Sequence, residues 1–148
     1  MNPRWVPKSA VLAIHELLIA EHGGASGLLS HATLDSSLAS PLNLLAYGRP
    51  DLFDLAAKYA AAITLDHPFK DGNKRVALTV AGVFLELNGQ RLEAPEADAV
   101  SAVLALSTRE LDEAGFASWL RLNTSKLGRA KAPSARKKTS SRARQKRK

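Results

Sequence analysis

The 148-residue chain has no cysteine, a single methionine, few aromatic residues (5%) and no long apolar run. The missing cysteines exclude a disulfide scaffold and any thiolate metal site, and they suit a reducing compartment. The longest stretches free of charged residues, His22 to Leu34 and Ser36 to Gly48, are interrupted by polar side chains. Both fall short of the roughly 20 apolar residues that a membrane-spanning helix requires. Met1-Asn2-Pro3-Arg4-Trp5 leads into no apolar segment, so no secretory signal is expected. The expectation is a cytoplasmic protein without a membrane partner. With 45% hydrophobic residues, the length suits one domain of ordinary size with a real core.

Acidic residues are also missing, but only from one end. The formal net charge of +7 and pI near 10.0 suggest a basic protein until the charges are placed along the chain. Residues 1–125 hold 10 Lys+Arg against all 14 Asp+Glu, a net −4, whereas residues 126–148 hold 11 Lys+Arg and no acid. The chain therefore divides into a mildly acidic domain, 1–125, and a Lys/Arg-rich tail, 126–148. The tail has one leucine and no other large apolar residue, so it has nothing to bury against the entropy of ordering and is predicted to be disordered. Lys137, Lys138, Arg142, Arg144 and Arg147 suit nonspecific contact with nucleic-acid phosphates; a plain solubilising extension is the equally simple reading. No aromatic residue is interleaved there to stack on bases, which argues against sequence-specific recognition.

Helical periodicity dominates residues 8–123. Val11, Leu12, Ile14, Leu17, Leu18 and Ile19 form a first amphipathic helix that ends at Gly23-Gly24. A short helix is expected from about Thr33 to Ala39, stopping at Pro41. Asp51 is placed to cap a longer one from Leu52 to about Asp66, and Pro68 forces that helix to end at His67. The next runs from about Asn73 to Asn88, with Gly89 as its stop, and is apolar on every face, as a helix buried all round would be. Gln90-Arg91-Leu92-Glu93 reads as a short extended piece. Pro95 opens a helix to about Ser107 and Asp112 caps a last one to Asn123. The fold class is all-α: a helical bundle around a buried central helix. Trp5, Phe53, Phe84, Phe116 and Trp119 read as packing residues. Tyr47, Arg49 and Asp51 are candidates for a substrate-facing flap.

The loop entering the central helix, His67-Pro-Phe-Lys-Asp-Gly-Asn-Lys-Arg75, is the most polar stretch of the body. A helix N-terminus offers unpartnered N–H groups and the positive end of the macrodipole, a natural anion site. Gly72 allows close backbone approach, Asn73 both donates and accepts, and Lys74 and Arg75 add two cations. Asp71 would repel a phosphate unless a divalent cation lay between them, and Mg²⁺ binds through one or two carboxylates plus phosphate oxygens. Histidine exchanges a proton near neutral pH, so His67 is the candidate base. These parts suit nucleotide-dependent group transfer. The plainer reading makes Asp71 an N-cap, His67 a packed histidine at a helix end, and Lys74 and Arg75 solvated charges. Zinc is disfavoured because Pro68 breaks the helical spacing of His67 and Asp71, and His15, His22 and His31 show no metal-ligand spacing. No P-loop pattern occurs.

The nine-residue loop closely resembles the signature of the Fic/Doc superfamily, H-x-F-x-[DE]-[AG]-N-[GK]-R. Ile14-His15-Glu16, Gly23-Gly24, Gly27-Leu28-Leu29, Leu34 to Leu38, Pro41 to Gly48, Phe84-Leu-Glu-Leu-Asn-Gly89 and Trp119-Leu120 are similar to the Doc ("death on curing") branch. The resemblance spans about residues 5–123. It implies His67 as general base on a target hydroxyl, Asp71 as the Mg²⁺ carboxylate, Gly72 and Asn73 as the anion-cradling turn, and Arg75 as a phosphate ligand. Lys74 stands where adenylylating Fic enzymes have glycine, and Leu78 where they have a second arginine. Both departures match Doc-type proteins, which transfer the γ-phosphate of ATP to a threonine of elongation factor Tu and so arrest translation. The resemblance further implies a toxin–antitoxin module, with a Phd-type antitoxin whose disordered C-terminal segment folds onto the toxin. The inhibitory pattern [ST]-x-x-x-E-[GN] of self-silenced Fic proteins is absent, since no Glu precedes Gly or Asn. The alternatives are an AMP-transferring Fic enzyme, or a silent Doc-fold binding module acting through its basic tail.

Overall fold

The computed structural model describes residues 1–128. Its elements in chain order are α1 (Lys8–His22), α2 (His31–Tyr47), α3 (Leu52–Asp66), α4 (Asn73–Leu87), β1 (Gln90–Leu92), α5 (Glu96–Ser107), α6 (Glu113–Leu122) and β2 (Thr124–Lys126). Among the described residues no helix is long and apolar enough to cross a membrane.

The antiparallel pair α3–α4 forms the centre. α2 and α6 pack on α3, α1 packs on α4, and α5 touches α3, α4 and α6. Alanine lets the central pair approach closely: Ala56, Ala57 and Ala60 of α3 and Ala77 and Ala81 of α4 are fully buried. Between them sit Leu55, Tyr59, Ile63, Val76, Val80, Phe84 and Leu85, all 0–1% exposed. The expected all-round burial of α4 holds for most of its length, but Leu78, Thr79, Gly82 and Val83 are half-buried.

The helix boundaries follow their local signals. Asp51 accepts from the Asp54 N–H (2.8 Å) while Asp54 accepts from the Asp51 N–H (3.0 Å), a reciprocal capping box that starts α3. The Asp112 carboxylate accepts from the Gly115 N–H at 2.7 Å and starts α6. The chain before α1 is tied to the centre: Trp5 stacks on Phe84, the Val6 N–H donates to the Tyr59 hydroxyl (3.1 Å), and the Arg4 N–H donates to Asn88 (2.8 Å).

Pro41 does not stop a helix. It lies buried inside the 17-residue α2, which begins at His31 under a cap from the Ser30 hydroxyl (3.1 Å to the Thr33 N–H). Leu34, Ser37 and Pro41 share the buried face, and Leu44 and Leu45 beyond the proline also pack against the core. Burial on both sides of Pro41 outweighs its lost hydrogen bond. The extended piece at Gln90–Leu92 finds a partner in Thr124–Lys126, register Gln90 to Lys126, Arg91 to Ser125 and Leu92 to Thr124. Order therefore runs past the expected tail boundary at residue 126: Lys126 is in a strand and the Leu127 N–H donates to the Gly89 carbonyl at 2.8 Å. The rest of the tail, from residue 129, lies outside the described residues.

Candidate active site

The turn of the α3–α4 hairpin brings the whole loop 67–75 to one end of the bundle. Helix α3 ends at His67, whose N–H still donates to the Ile63 carbonyl (3.2 Å) while its backbone is left-handed at φ 54°, ψ 59°. The expectation that Pro68 ends the helix at His67 holds, and the backbone there is left-handed. A non-glycine residue there is uncommon and strained by about 1–3 kcal/mol. The consequence is geometric: Pro68 and Phe69 turn inward and are buried, while the His67 imidazole stands exposed.

Asn73 builds the loop from inside. Only 7% exposed, it accepts from the Phe69 N–H and donates to the Phe69 carbonyl, both at 3.0 Å. Its amide also lies 3.4 Å from His67 Nδ1, a long contact. Phe69 itself is 0% exposed and anchors the loop in the core. Asn73 is thus a loop-forming residue at least as much as a ligand-facing one.

The N-cap of α4 is Gly72, left-handed at φ 80°, and no side chain caps the helix. Asp71 is therefore not the N-cap that its position allowed. Its Oδ1 accepts from the Gly72 N–H (2.9 Å) and its Oδ2 from the Ala25 N–H (3.3 Å). The first backbone N–H groups of α4 have no acceptor within the helix, and no side chain caps them. Lys74 and Arg75 are exposed and make no ion pair among the described residues. A cavity of about 280 Å³ is lined by Asp71, Gly72, Asn73, Lys74 and Arg75 together with the apolar Leu78, Val100, Val103 and Leu104. The cavity thus joins a charged end to an apolar wall made by α4 and α5. His67 is not among the residues that line it, and its side chain is exposed.

The fit of a divalent cation rests on Asp71. Its carboxylate is exposed, each oxygen accepts one backbone N–H and keeps a free lone pair, and the backbone of Gly24 leaves room for it: a Cβ on Gly24 would lie 2.7 Å from Oδ2. No group of three or more His, Cys, Asp or Glu forms a closed metal cage among the described residues. A single open carboxylate suits Mg²⁺ completed by phosphate oxygens.

The sequence missed the segment that covers the loop. Gly27–Ser30 runs antiparallel to it, with a bridge between Leu28 and Phe69; the Leu29 N–H donates to the Pro68 carbonyl (2.8 Å) and the Lys70 N–H to the Gly27 carbonyl (3.1 Å). The candidate flap at Tyr47, Arg49 and Asp51 instead lies at the opposite end of α3, where Asp51 is engaged in capping and in an ion pair with Arg121 at 2.9 Å. Clustered glycines at 23, 24 and 27, all with positive φ, were the available signal for the covering segment.

A helical domain that presents a histidine, a carboxylate and an uncapped helix N-terminus on one hairpin turn has the parts of a nucleotide-dependent transferase. The model of the Fic/DOC family matches residues 5–85. Over 120 residues the chain is 30% identical to "Protein kinase doc" of Escherichia phage P1, covering 80% of this chain and 94% of that protein. Over 75 residues it is 36% identical to "Toxin Doc" of Mycolicibacterium smegmatis, covering 49% of this chain and 57% of that protein. The chain belongs to the Fic/Doc family and within it to the Doc branch.

Proposed function

We propose that the protein is a Doc-type toxin that transfers the γ-phosphate of ATP to a protein hydroxyl, a threonine of elongation factor Tu, and thereby arrests translation. The observation that carries this reading is the uncapped N-terminus of α4, flanked by the Asp71 carboxylate and by Lys74 and Arg75, which make no ion pair among the described residues. The phosphates lie on the backbone N–H groups after Gly72, with Lys74 and Arg75 neutralising their charge. Asp71 holds Mg²⁺, which when bound screens the phosphate oxygens and orients them. The apolar wall of Leu78, Val100, Val103 and Leu104 faces the rest of the nucleotide.

The protein substrate approaches from the exposed side, where His67 stands. The hydroxyl proton passes to the imidazole as the threonine oxygen bonds to the γ-phosphorus; the bond from that phosphorus to the β–γ bridging oxygen breaks, and ADP leaves. Phosphoryl transfer is favoured over adenylyl transfer by Lys74 and Leu78. Lysine puts bulk and charge beside the anion nest where adenylylating relatives have glycine, and Leu78 supplies no second cation for an α-phosphate. The name of the phage P1 relative points the same way. A growth-arresting enzyme of this kind requires a partner that restrains it, an antitoxin of Phd type.

The test is incubation with elongation factor Tu and ATP labelled at either the α or the γ phosphate, followed by intact-mass measurement. The expected product carries the γ label and gains one phosphate. His67→Ala should reduce labelling by about 10²–10⁴-fold, because the residual reaction lacks its base. Label from the α position would overturn phosphoryl transfer in favour of adenylyl transfer.

A further inference from the structure

His15 lies in the middle of α1, 56 positions before Asp71, and is 2% exposed. An imidazole buried among apolar side chains is costly unless its polar atoms are bonded. The ring stacks face to face on Phe69, centroids 4.0 Å apart and planes within 13°, and Nε2 lies 3.0 Å from the Asp71 carbonyl oxygen. A carbonyl only accepts, so the proton of this bond sits on Nε2 of His15. Packing against Phe69 would be served by any flat apolar side chain; the bond to Asp71 would not.

The Asp71 carbonyl and the Gly72 N–H are the two ends of one planar peptide unit. His15 holds the oxygen end at 3.0 Å and the Asp71 carboxylate accepts from the nitrogen end at 2.9 Å. Glycine at Gly72 leaves that peptide easy to rotate, since φ of either sign costs it little. If the oxygen end is released, rotation of the peptide carries the Gly72 N–H away from Oδ1 and frees the carboxylate to swing. We infer that His15 is a positioning residue: through the Asp71–Gly72 peptide it fixes the direction of the Asp71 carboxylate and the opening of the α4 N-terminus, without touching the nucleotide itself. This assignment deepens the proposed transferase reading and rests on it for its catalytic consequence, although the geometric part stands alone.

The experiment compares His15→Phe, which keeps the stacked ring and loses the donor, with His15→Gln, which keeps an N–H donor and loses the ring. Three readouts are taken on the full chain: the thermal midpoint, the NMR signal of the Gly72 amide with and without Mn²⁺ standing in for Mg²⁺, and the KM for Mg·ATP alongside kcat. For His15→Phe the Gly72 amide should shift and broaden, and Mn²⁺ should be needed at about tenfold or higher concentration. Phosphoryl transfer should fall by about tenfold or more, with the Mg²⁺ requirement raised. His15→Gln should recover part of both. A lowered midpoint with an unmoved Gly72 amide, Mn²⁺ response and KM would overturn the assignment and leave His15 a core residue only. Should both variants fail to fold, the wild-type protein decides: a slowly exchanging His15 Nε2–H supports the bond, and a freely exchanging one overturns it. If wild-type protein transfers no phosphate, the transferase reading fails, while the Gly72 amide still decides the role of His15.

Discussion

At the scale of single residues, the site depends on contacts that the signature itself does not contain. Asp71, Gly72, Asn73, Lys74 and Arg75 are contiguous, so their meeting was legible from the sequence alone, as was His67 at the end of a proline-terminated helix. What supports them comes from 46 to 56 positions away: the Ala25 N–H on Asp71 Oδ2 and His15 on the Asp71 carbonyl. Nothing local marks such partners, because spacing along one helix or loop carries no information about a contact between distant segments. Gly24 illustrates the point. Its φ of +114° is strained for any other residue, and a Cβ would lie 2.7 Å from the Asp71 carboxylate. The neighbouring Gly23, at φ +83°, has open space around the same position. Gly23→Ala and Gly24→Ala should therefore both lose about 1–3 kcal/mol of stability to backbone strain. Only Gly24→Ala should also displace Asp71, cutting phosphoryl transfer by about tenfold or more relative to Gly23→Ala. Urea unfolding and the labelled-ATP assay on both variants separate strain from displacement; equal activities would remove Gly24 from the site.

At the scale of elements, caps were legible and a buried proline was not. Asp51 and Asp112 start their helices where their position after a turn placed them. Pro41 misled because local propensity favours a break, whereas tertiary packing of Leu34, Leu44 and Leu45 carries α2 through it. Pro41→Ala restores a donor to the helix ladder, a gain of about 3 kcal/mol in propensity, and removes about two buried methylenes at about 0.8 kcal/mol each. The urea midpoint should accordingly rise, by the equivalent of about 1 kcal/mol; a fall would mean that the proline ring matters more to packing than to the ladder. The α3 cap adds a pH dependence. Burial raises the Asp51 carboxyl, but the Asp54 N–H and the Arg121 guanidinium outweigh it and leave the group below its ordinary range. A depressed carboxyl stabilises the fold above its unfolded value, and that stabilisation is lost as pH falls through the lower folded value. Urea midpoints should thus decline below about pH 4, and Asp51→Asn should flatten part of that decline. The effect is small, since Arg121 and Asp51 are both substantially exposed to solvent screening.

At the scale of the whole molecule, the charge and the chemistry belong to different parts of the chain. The all-α architecture was legible because helical period, caps and stops agree over most of the chain. The β1–β2 ribbon was not, because Thr124-Ser125-Lys126 has neither apolar alternation nor length, and only its partner 34 positions earlier makes it a strand. Its presence extends the helical body beyond residue 125 to at least Lys126; residues 129–148 carry 10 Lys+Arg and no acid while the preceding 128 residues carry 11 against 14 acids. The bulk pI near 10.0 thus describes an excess that residues 129–148 supply alone. The cations that matter to the proposed transfer, Lys74 and Arg75, lie in the net-acidic part and act through position. The two roles should therefore separate cleanly. Truncation after Gly128 removes none of the residues that line the cavity, pin the loop or pair the ribbon. Phosphoryl transfer to free elongation factor Tu and the urea midpoint should stay within about twofold and about 0.5 kcal/mol of the full chain, as for surface changes away from the core. Binding to single-stranded RNA should behave oppositely: strong at low salt and falling steeply with salt for the full chain, and nearly absent after truncation. Equal RNA binding by both would place the nucleic-acid contact on the helical body, and lost transfer after truncation would tie the tail to the chemistry.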